Sequence, residues 1–129
     1  MTLAQRFAAT FGGVYILIGI LGFLPFVGGT ASQTPDFLLG IFGITAAHNI
    51  VHLLIGLAFV GSSRSDANAR MASIVIGAAY LLVGVIGLFN LDFVNDLLNI
   101  NGADNVLHFV SGFAALAVGL SGRRTVATA

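Results

Sequence analysis

Residues 36–58 read DFLLGIFGITAAHNIVHLLIGLA, and residues 92–114, fifty-six positions further on, read DFVNDLLNINGADNVLHFVSGFA. Matched leucines mean little in a chain this apolar, but an Asn-x-x-His element is retained in both stretches. The positions that coincide include Asp36/Asp92, Asn49/Asn105, His52/His108 and Gly56/Gly112. The sequence therefore indicates a tandem duplication that has kept polar residues within apolar segments.

The segments that precede these two stretches also correspond to each other. Residues of the first segment recur sixty-five positions later, with Gly12, Tyr15, Leu17, Gly19 and Gly22 matched by Gly77, Tyr80, Leu82, Gly84 and Gly87. Glycines on one stripe of a helix let two backbones approach closely, which is how helices associate in lipid. The pattern predicts two repeats, residues 7–61 and residues 71–121.

The composition places the chain in the membrane class. Of its 129 residues, 57% are hydrophobic and 8% are charged, whereas a soluble domain carries about 25% charged residues. The formal net charge of zero excludes a nucleic-acid partner, which needs clustered basic residues. The absence of cysteine excludes disulfides and thiolate metal sites, and without Glu, Cys or Lys no named enzymatic reaction is indicated.

Four apolar segments follow one another along the chain: residues 7–27, 38–61, 71–91 and 101–121. A helix that crosses ~30 Å of hydrocarbon needs about 20 residues. None of the segments shows the alternation of a β-barrel strand, so helices are predicted. The expected fold is an all-α membrane protein, a single domain over residues 1–129 that forms an up-down-up-down bundle of four transmembrane helices.

The arginines predict the orientation of this bundle. They all fall on one side of the predicted helices, at Arg6, Arg64, Arg70, Arg123 and Arg124, and the positive-inside rule makes that side cytoplasmic. We therefore expect a multi-pass protein of a bacterial cytoplasmic membrane with both termini inside. Residues 1–31 also resemble a secretory signal peptide, but the recurrence of the first helix pattern in the third segment argues that the first helix is retained.

The second and fourth helices each have two possible starting points. Thr45 and Asn101 are residue types that cap helix amino termini, and Asp104 stands three residues after Asn101, where a carboxylate favours the positive helix end. Helices that begin at these caps leave residues 36–44 and 92–100 as interfacial or re-entrant turns. The alternative is one continuous helix over residues 37–61.

The polar residues of the two repeats fall on matching helical faces. His48 and His52 are four residues apart, as are Asp104 and His108, so each pair shares one face. Helix pairs of this kind build metal sites in bundles, and three imidazoles with one carboxylate suit Zn²⁺, Cu²⁺ or Fe²⁺. His52 and His108 alone suit axial ligation of haem. Asn49 and Asn105 would orient the imidazoles through hydrogen bonds.

Three functions fit these residues. The main expectation is a small structural or accessory membrane protein, in which the polar residues hold the helices together. The first alternative is a metal- or haem-binding bundle at His48, His52, Asp104 and His108. The second is a proton or small-solute conduit formed by an oligomer, which Tyr15, Tyr80 and Ser111 would continue. The expected partners are the lipid bilayer and a second copy or a larger membrane complex.

The paired motifs, His48-Asn49-x-x-His52 and Asp104-Asn105-x-x-His108, give the chain a resemblance to a known family. They resemble those of small bacterial membrane proteins classed as a domain of unknown function, over about residues 12–119. The resemblance implies a membrane fold of four helices. It implies no established activity, so it assigns no catalytic residue.

Overall fold

The computed structural model describes residues 1–122, so Arg123 and Arg124 of the orientation argument lie outside the described residues. The fold is mostly helical. Its elements are α1 (Leu3–Leu21), a 3-10 turn (Pro25–Val27), β1 (Asp36–Leu38), β2 (Phe42–Ile44), α2 (Ala46–Ser62), α3 (Asp66–Leu88), α4 (Asp92–Leu98) and α5 (Gly102–Leu120).

Side-chain caps set where the long helices begin. Thr45 accepts a hydrogen bond from the backbone N–H of His48 and starts α2. Asn101 starts α5 and forms a reciprocal capping box with Asp104. Both predicted caps are therefore confirmed. Thr2 and Ser65 cap α1 and α3 in the same way, because each hydroxyl satisfies an amide that has no partner within the helix.

Three helices, α1, α3 and α5, are long and apolar enough to cross a membrane. The alternative of one continuous helix over residues 37–61 is wrong, because α2 begins only at Ala46 and has 17 residues. At 1.5 Å per residue it is about 26 Å long, slightly less than the ~30 Å of a hydrocarbon core.

Residues 36–44 form a β-hairpin, which corrects the all-α prediction. Strands β1 and β2 are antiparallel, and Phe37 pairs with Gly43. The turn places Leu39 and Gly40 at positive φ angles of 55° and 70°, a conformation that glycine adopts readily. Of the two predicted starting points for the second helix, the later one, at the Thr45 cap, is correct.

The long helices pack as two antiparallel pairs, α1 with α2 and α3 with α5, and the pairs touch each other less extensively. Glycines lie at both crossings. A Cβ built on Gly12 would lie 2.8 Å from the carbonyl oxygen of Gly56, and one built on Gly77 would lie 3.0 Å from that of Gly112. Because a methyl group does not fit at these distances, the small residues permit the close packing.

The two ends of the helices differ in what holds them together. At the end where α1 and α3 begin, the side chain of Gln5 donates to the carbonyl of Ser63, and small residues and Phe59 form an apolar core. At the other end, here called the hairpin end, polar contacts join α4 to the cap of α2 and the hairpin to the cap of α5. Among them, the Thr45 hydroxyl donates to the carbonyl of Leu97 at 2.6 Å and the Asn101 amide donates to that of Ile41 at 2.7 Å.

Candidate functional site

Three histidines meet between the two helix pairs, and we call them the histidine cluster: His48 and His52 of α2 and His108 of α5. The ring centroids of His48 and His52 are 4.5 Å apart, and those of His48 and His108 are 6.2 Å apart. One ring nitrogen from each lies within 4.8 Å of the others. The structure thus brings together residues that are up to sixty positions apart in the chain.

The helix caps determine the depth of this cluster. His52 and His108 each stand seven residues after a cap, Thr45 and Asn101 respectively. At 1.5 Å per residue, both side chains lie about 10 Å along their helices from the capped end. Equal spacing from two caps at the same end of the molecule brings the two imidazoles to one level.

Each of the three imidazoles has one buried nitrogen without a hydrogen bond, although the His52 residue as a whole is only half-buried. His48 is 2% exposed and His108 is 5% exposed. Within residues 1–122, Nδ1 of His48, His52 and His108 has no hydrogen-bond partner. A buried polar atom without a partner costs about 1–3 kcal/mol, so three such atoms in one place are unfavourable for the protein alone.

Two tyrosines flank the histidine cluster. The Tyr15 ring lies 5.5 Å from that of His52, and the Tyr80 ring lies 5.3 Å from that of His108. The Tyr15 hydroxyl donates to Ser111 Oγ at 3.1 Å. This bond was not predictable from the sequence, because it joins α1 to α5 across ninety-six positions. Among the described residues, the Tyr80 hydroxyl has no partner.

Asp104, the fourth predicted metal ligand, is engaged elsewhere. Its Oδ2 accepts from the backbone N–H of Gly43 and from that of Asn101, both at 2.9 Å. Within residues 1–122, the three histidines converge as potential ligands, and Asp104 is not among them. The carboxylate instead fastens the hairpin to the start of α5.

The two asparagines pack against the glycines that precede the hairpin-end connections. Asn49 donates from Nδ2 to the carbonyls of Gly22 at 2.6 Å and Thr30 at 3.1 Å. Its two N–H groups are therefore used on backbone oxygens, and neither is left to orient an imidazole. Asn105 lies against Gly87 as Asn49 lies against Gly22, since a Cβ at either glycine would overlap the Oδ1 of its asparagine.

Two apolar cavities adjoin the histidine cluster. One, of about 140 Å³, lies between α2 and α3 and is lined by Ile55, Ile76 and Tyr80 among others. The second, of about 280 Å³, lies between α1, the hairpin and α5. His52 and His108 line both. The cluster is therefore a polar layer with apolar space on two sides.

Comparison with known proteins gives a family but no activity. A family model described as a domain of unknown function (DUF4383) matches residues 5–121. No curated protein and no solved structure matches the chain. The match covers nearly the whole chain, so the protein belongs to this family.

Proposed function

Because membership of this family assigns no activity, the function rests on the site itself, and we propose that the protein binds a transition-metal ion at His48, His52 and His108. The observation that carries the proposal is the convergence of three imidazoles, of which those of His48 and His108 are buried and that of His52 is half-buried, with one ring nitrogen of each within 4.8 Å of the others. Among residues 1–122, their Nδ1 atoms have no hydrogen-bond partner. A structural role accounts for Asn49 and Asp104, whose hydrogen bonds join segments. It leaves the three imidazoles without a purpose.

The donor set selects the kind of ion. Three neutral imidazoles suit Zn²⁺ and Cu²⁺ among the divalent metals. A tetrahedral ion with bonds of about 2.0–2.1 Å places its ligand nitrogens about 3.4 Å apart, whereas here they lie within 4.8 Å. Ring movements of about 1 Å close that gap. The adjoining cavities, of about 140 and 280 Å³, are below the usual 300–1,000 Å³ of a drug-sized ligand pocket, which favours an ion over haem.

We also propose that the protein spans a bacterial cytoplasmic membrane as a duplicated four-helix bundle. Large apolar side chains are exposed on all four long helices, for example Leu17, Leu54, Leu82 and Phe113. Such surfaces are stable in lipid and unfavourable in water. The positive-inside rule, applied to Arg6, Arg64 and Arg70 at the end where α1 and α3 begin, supports a cytoplasmic location of that end, as the sequence predicts for both termini. Cleavage of an amino-terminal tag by protease added to intact cells would contradict this orientation.

Metal titration of the purified protein tests the site. The chain has three histidines and no cysteine, so a protein purified without a histidine tag offers no other imidazole or thiolate. We expect one Zn²⁺ or Cu²⁺ per chain after chelator treatment and reloading. His52→Ala and His108→Ala should each weaken binding by more than the roughly 10- to 100-fold caused by losing a hydrogen bond to a ligand.

Asp104→Asn is the matched control, because an amide keeps an oxygen for Gly43 and Asn101 but removes the charge. If Asp104 is not a ligand, this variant retains the metal affinity of the parent protein. Metal binding that survives both histidine substitutions in folded protein overturns the proposal. Elution volume and thermal unfolding in detergent establish that each variant is folded.

A further inference from the structure

Exposed phenylalanine side chains gather at the hairpin end. Within residues 1–122, four of the five exposed phenylalanines lie there: Phe26, Phe37, Phe89 and Phe93. Phe26 is 81% exposed and Phe93 is 70% exposed, so the rest of the fold hardly covers them. A cluster of large exposed apolar side chains marks a surface that contacts lipid or another protein.

The short helix α4 has an apolar exposed face beside a charged one. Phe93 and Leu97 stand four residues apart, so they share a face, and both are exposed. Asp92 and Asp96 share a second exposed face in the same way. Val94 is buried, so a third face packs on the protein. A helix that lies along a membrane surface has this division, with apolar side chains toward the acyl chains and charged ones toward water.

The hairpin turn exposes a second apolar edge next to α2. Leu39 and Ile41 flank Gly40 in the turn, and both are exposed. At 1.5 Å per residue α2 is only about 26 Å long, and a hydrophobic span that is too short distorts the bilayer at an energetic cost. Apolar side chains beyond the start of α2 extend its span.

The distribution of these residues favours lipid over a protein partner. They belong to the connections of both helix pairs, and they continue the exposed apolar surface of the long helices, which includes Leu17 and Leu82. A single protein partner would cover one patch, whereas acyl chains surround the bundle. The charged side chains of these connections, Asp36, Asp92 and Asp96, are all exposed, as contact with water requires.

We propose that α4 and the hairpin turn anchor the protein in the leaflet at the hairpin end, at the boundary between lipid headgroups and acyl chains. Phe93, Leu97 and the side chains of the turn enter the acyl region, while Asp92 and Asp96 remain in water. The inference rests on the proposed membrane location and adds to it the depth of the two connections.

Tryptophan reporters measure this depth, because the chain has no tryptophan of its own. Phe93→Trp reports on the apolar face of α4, and Asp92→Trp, on the same helix, is the matched control for the charged face. Leu54→Trp, at an exposed position in the middle of α2, reports on the span itself. Each variant is placed in nanodiscs of phosphatidylcholine whose acyl chains carry bromine either near the headgroup or near the chain end, and iodide is added to the water.

We expect Phe93→Trp to emit at a shorter wavelength than Asp92→Trp, to lose most intensity to bromine near the headgroup and to be quenched little by iodide. Asp92→Trp should be quenched mainly by iodide, because its face points to water. Leu54→Trp should lose most intensity to bromine near the chain end. Thermal unfolding in detergent establishes that each variant is folded.

The inference is overturned if iodide quenches Phe93→Trp as strongly as it quenches Asp92→Trp. It is also overturned if Phe93→Trp is shielded both from iodide and from the brominated lipids, since a second copy of the chain would then cover this face. Absence of bromine quenching in Leu54→Trp contradicts the proposed membrane span. Quenching of Leu54→Trp by bromine together with an iodide-accessible Phe93→Trp contradicts the anchor alone.

Discussion

Residues 36–44 and 92–100 correspond in sequence but differ in structure. Both begin Asp-Phe and end in isoleucine, yet the first forms a hairpin and the second contains α4. The first has glycine at positions 40 and 43, where the second has Asp96 and Asn99. Gly40 corresponds to Asp96 in the interior of α4, where glycine costs about 1 kcal/mol, whereas Gly43 corresponds to Asn99, which follows the end of α4. Gly40 therefore disfavours, in the first segment, the helix that the second segment forms.

This difference affects the site directly. The hairpin presents the N–H of Gly43 to the carboxylate of Asp104, and a Cβ at Gly43 would overlap the backbone of Asn99. In the first half, the position that corresponds to Asp104 is His48, which joins the histidine cluster. The two equivalent positions therefore have different roles: Asp104 anchors the hairpin, and His48 supplies the third imidazole.

Among substitutions that test this difference, Asp104→Ala should have the largest effect on stability. It leaves the N–H groups of Gly43 and Asn101 without an acceptor, and a buried unpaired donor costs about 1–3 kcal/mol. We expect the free energy of unfolding in detergent to fall by about 2–4 kcal/mol. Asp104→Asn should lose less than half of that amount. Equal losses in the two variants would show that the carboxylate oxygen does not hold the hairpin.

A smaller effect should distinguish the two asparagine–glycine contacts. Gly22→Ala displaces Asn49 from two hydrogen bonds, and we expect a loss of about 2 kcal/mol. Gly87→Ala displaces Asn105, which is 9% exposed where Asn49 is fully buried, and should cost about 1 kcal/mol.

Gly13→Ala is the control for both, because a Cβ there meets nothing within 4 Å. It should leave the unfolding temperature unchanged or raise it, since alanine favours a helix. A reversed order of the Gly22 and Gly87 variants would contradict the inference that Asn49 makes the stronger contact.

The smallest predicted effect is an increase in stability, and it concerns the hairpin turn. Leu39 has a φ of 55°, which costs a non-glycine residue roughly 1–2 kcal/mol, whereas the second connection places Asn99 at its positive φ of 51°. Leu39→Asn creates the Asn-Gly turn that hairpins favour and should stabilise the protein by about 0.5–1 kcal/mol. Ile41 is about as exposed as Leu39 but has no positive φ. The control Ile41→Asn should therefore not raise the unfolding temperature.

Features that depend on near neighbours in the chain were predictable. The caps at Thr45 and Asn101 were identified from residue type and spacing, and the structure has both. The i, i+4 spacing put His48 and His52 on one face. A helix that begins at Thr45 leaves residues 36–44 as an interfacial or re-entrant turn, but three-residue strands carry too little periodicity to predict that this segment pairs with itself as a hairpin.

The sequence by itself determined that this is an apolar helical protein with two related halves and with polar residues at matching helical positions. These properties follow from composition and from local periodicity. Only the tertiary structure decided that three imidazoles converge, that Asp104 turns to Gly43, and that the Tyr15 hydroxyl bonds to Ser111. Those outcomes depend on which distant segments meet, because a hydrogen bond needs its partner within about 3 Å, and spacing along the chain does not specify that distance.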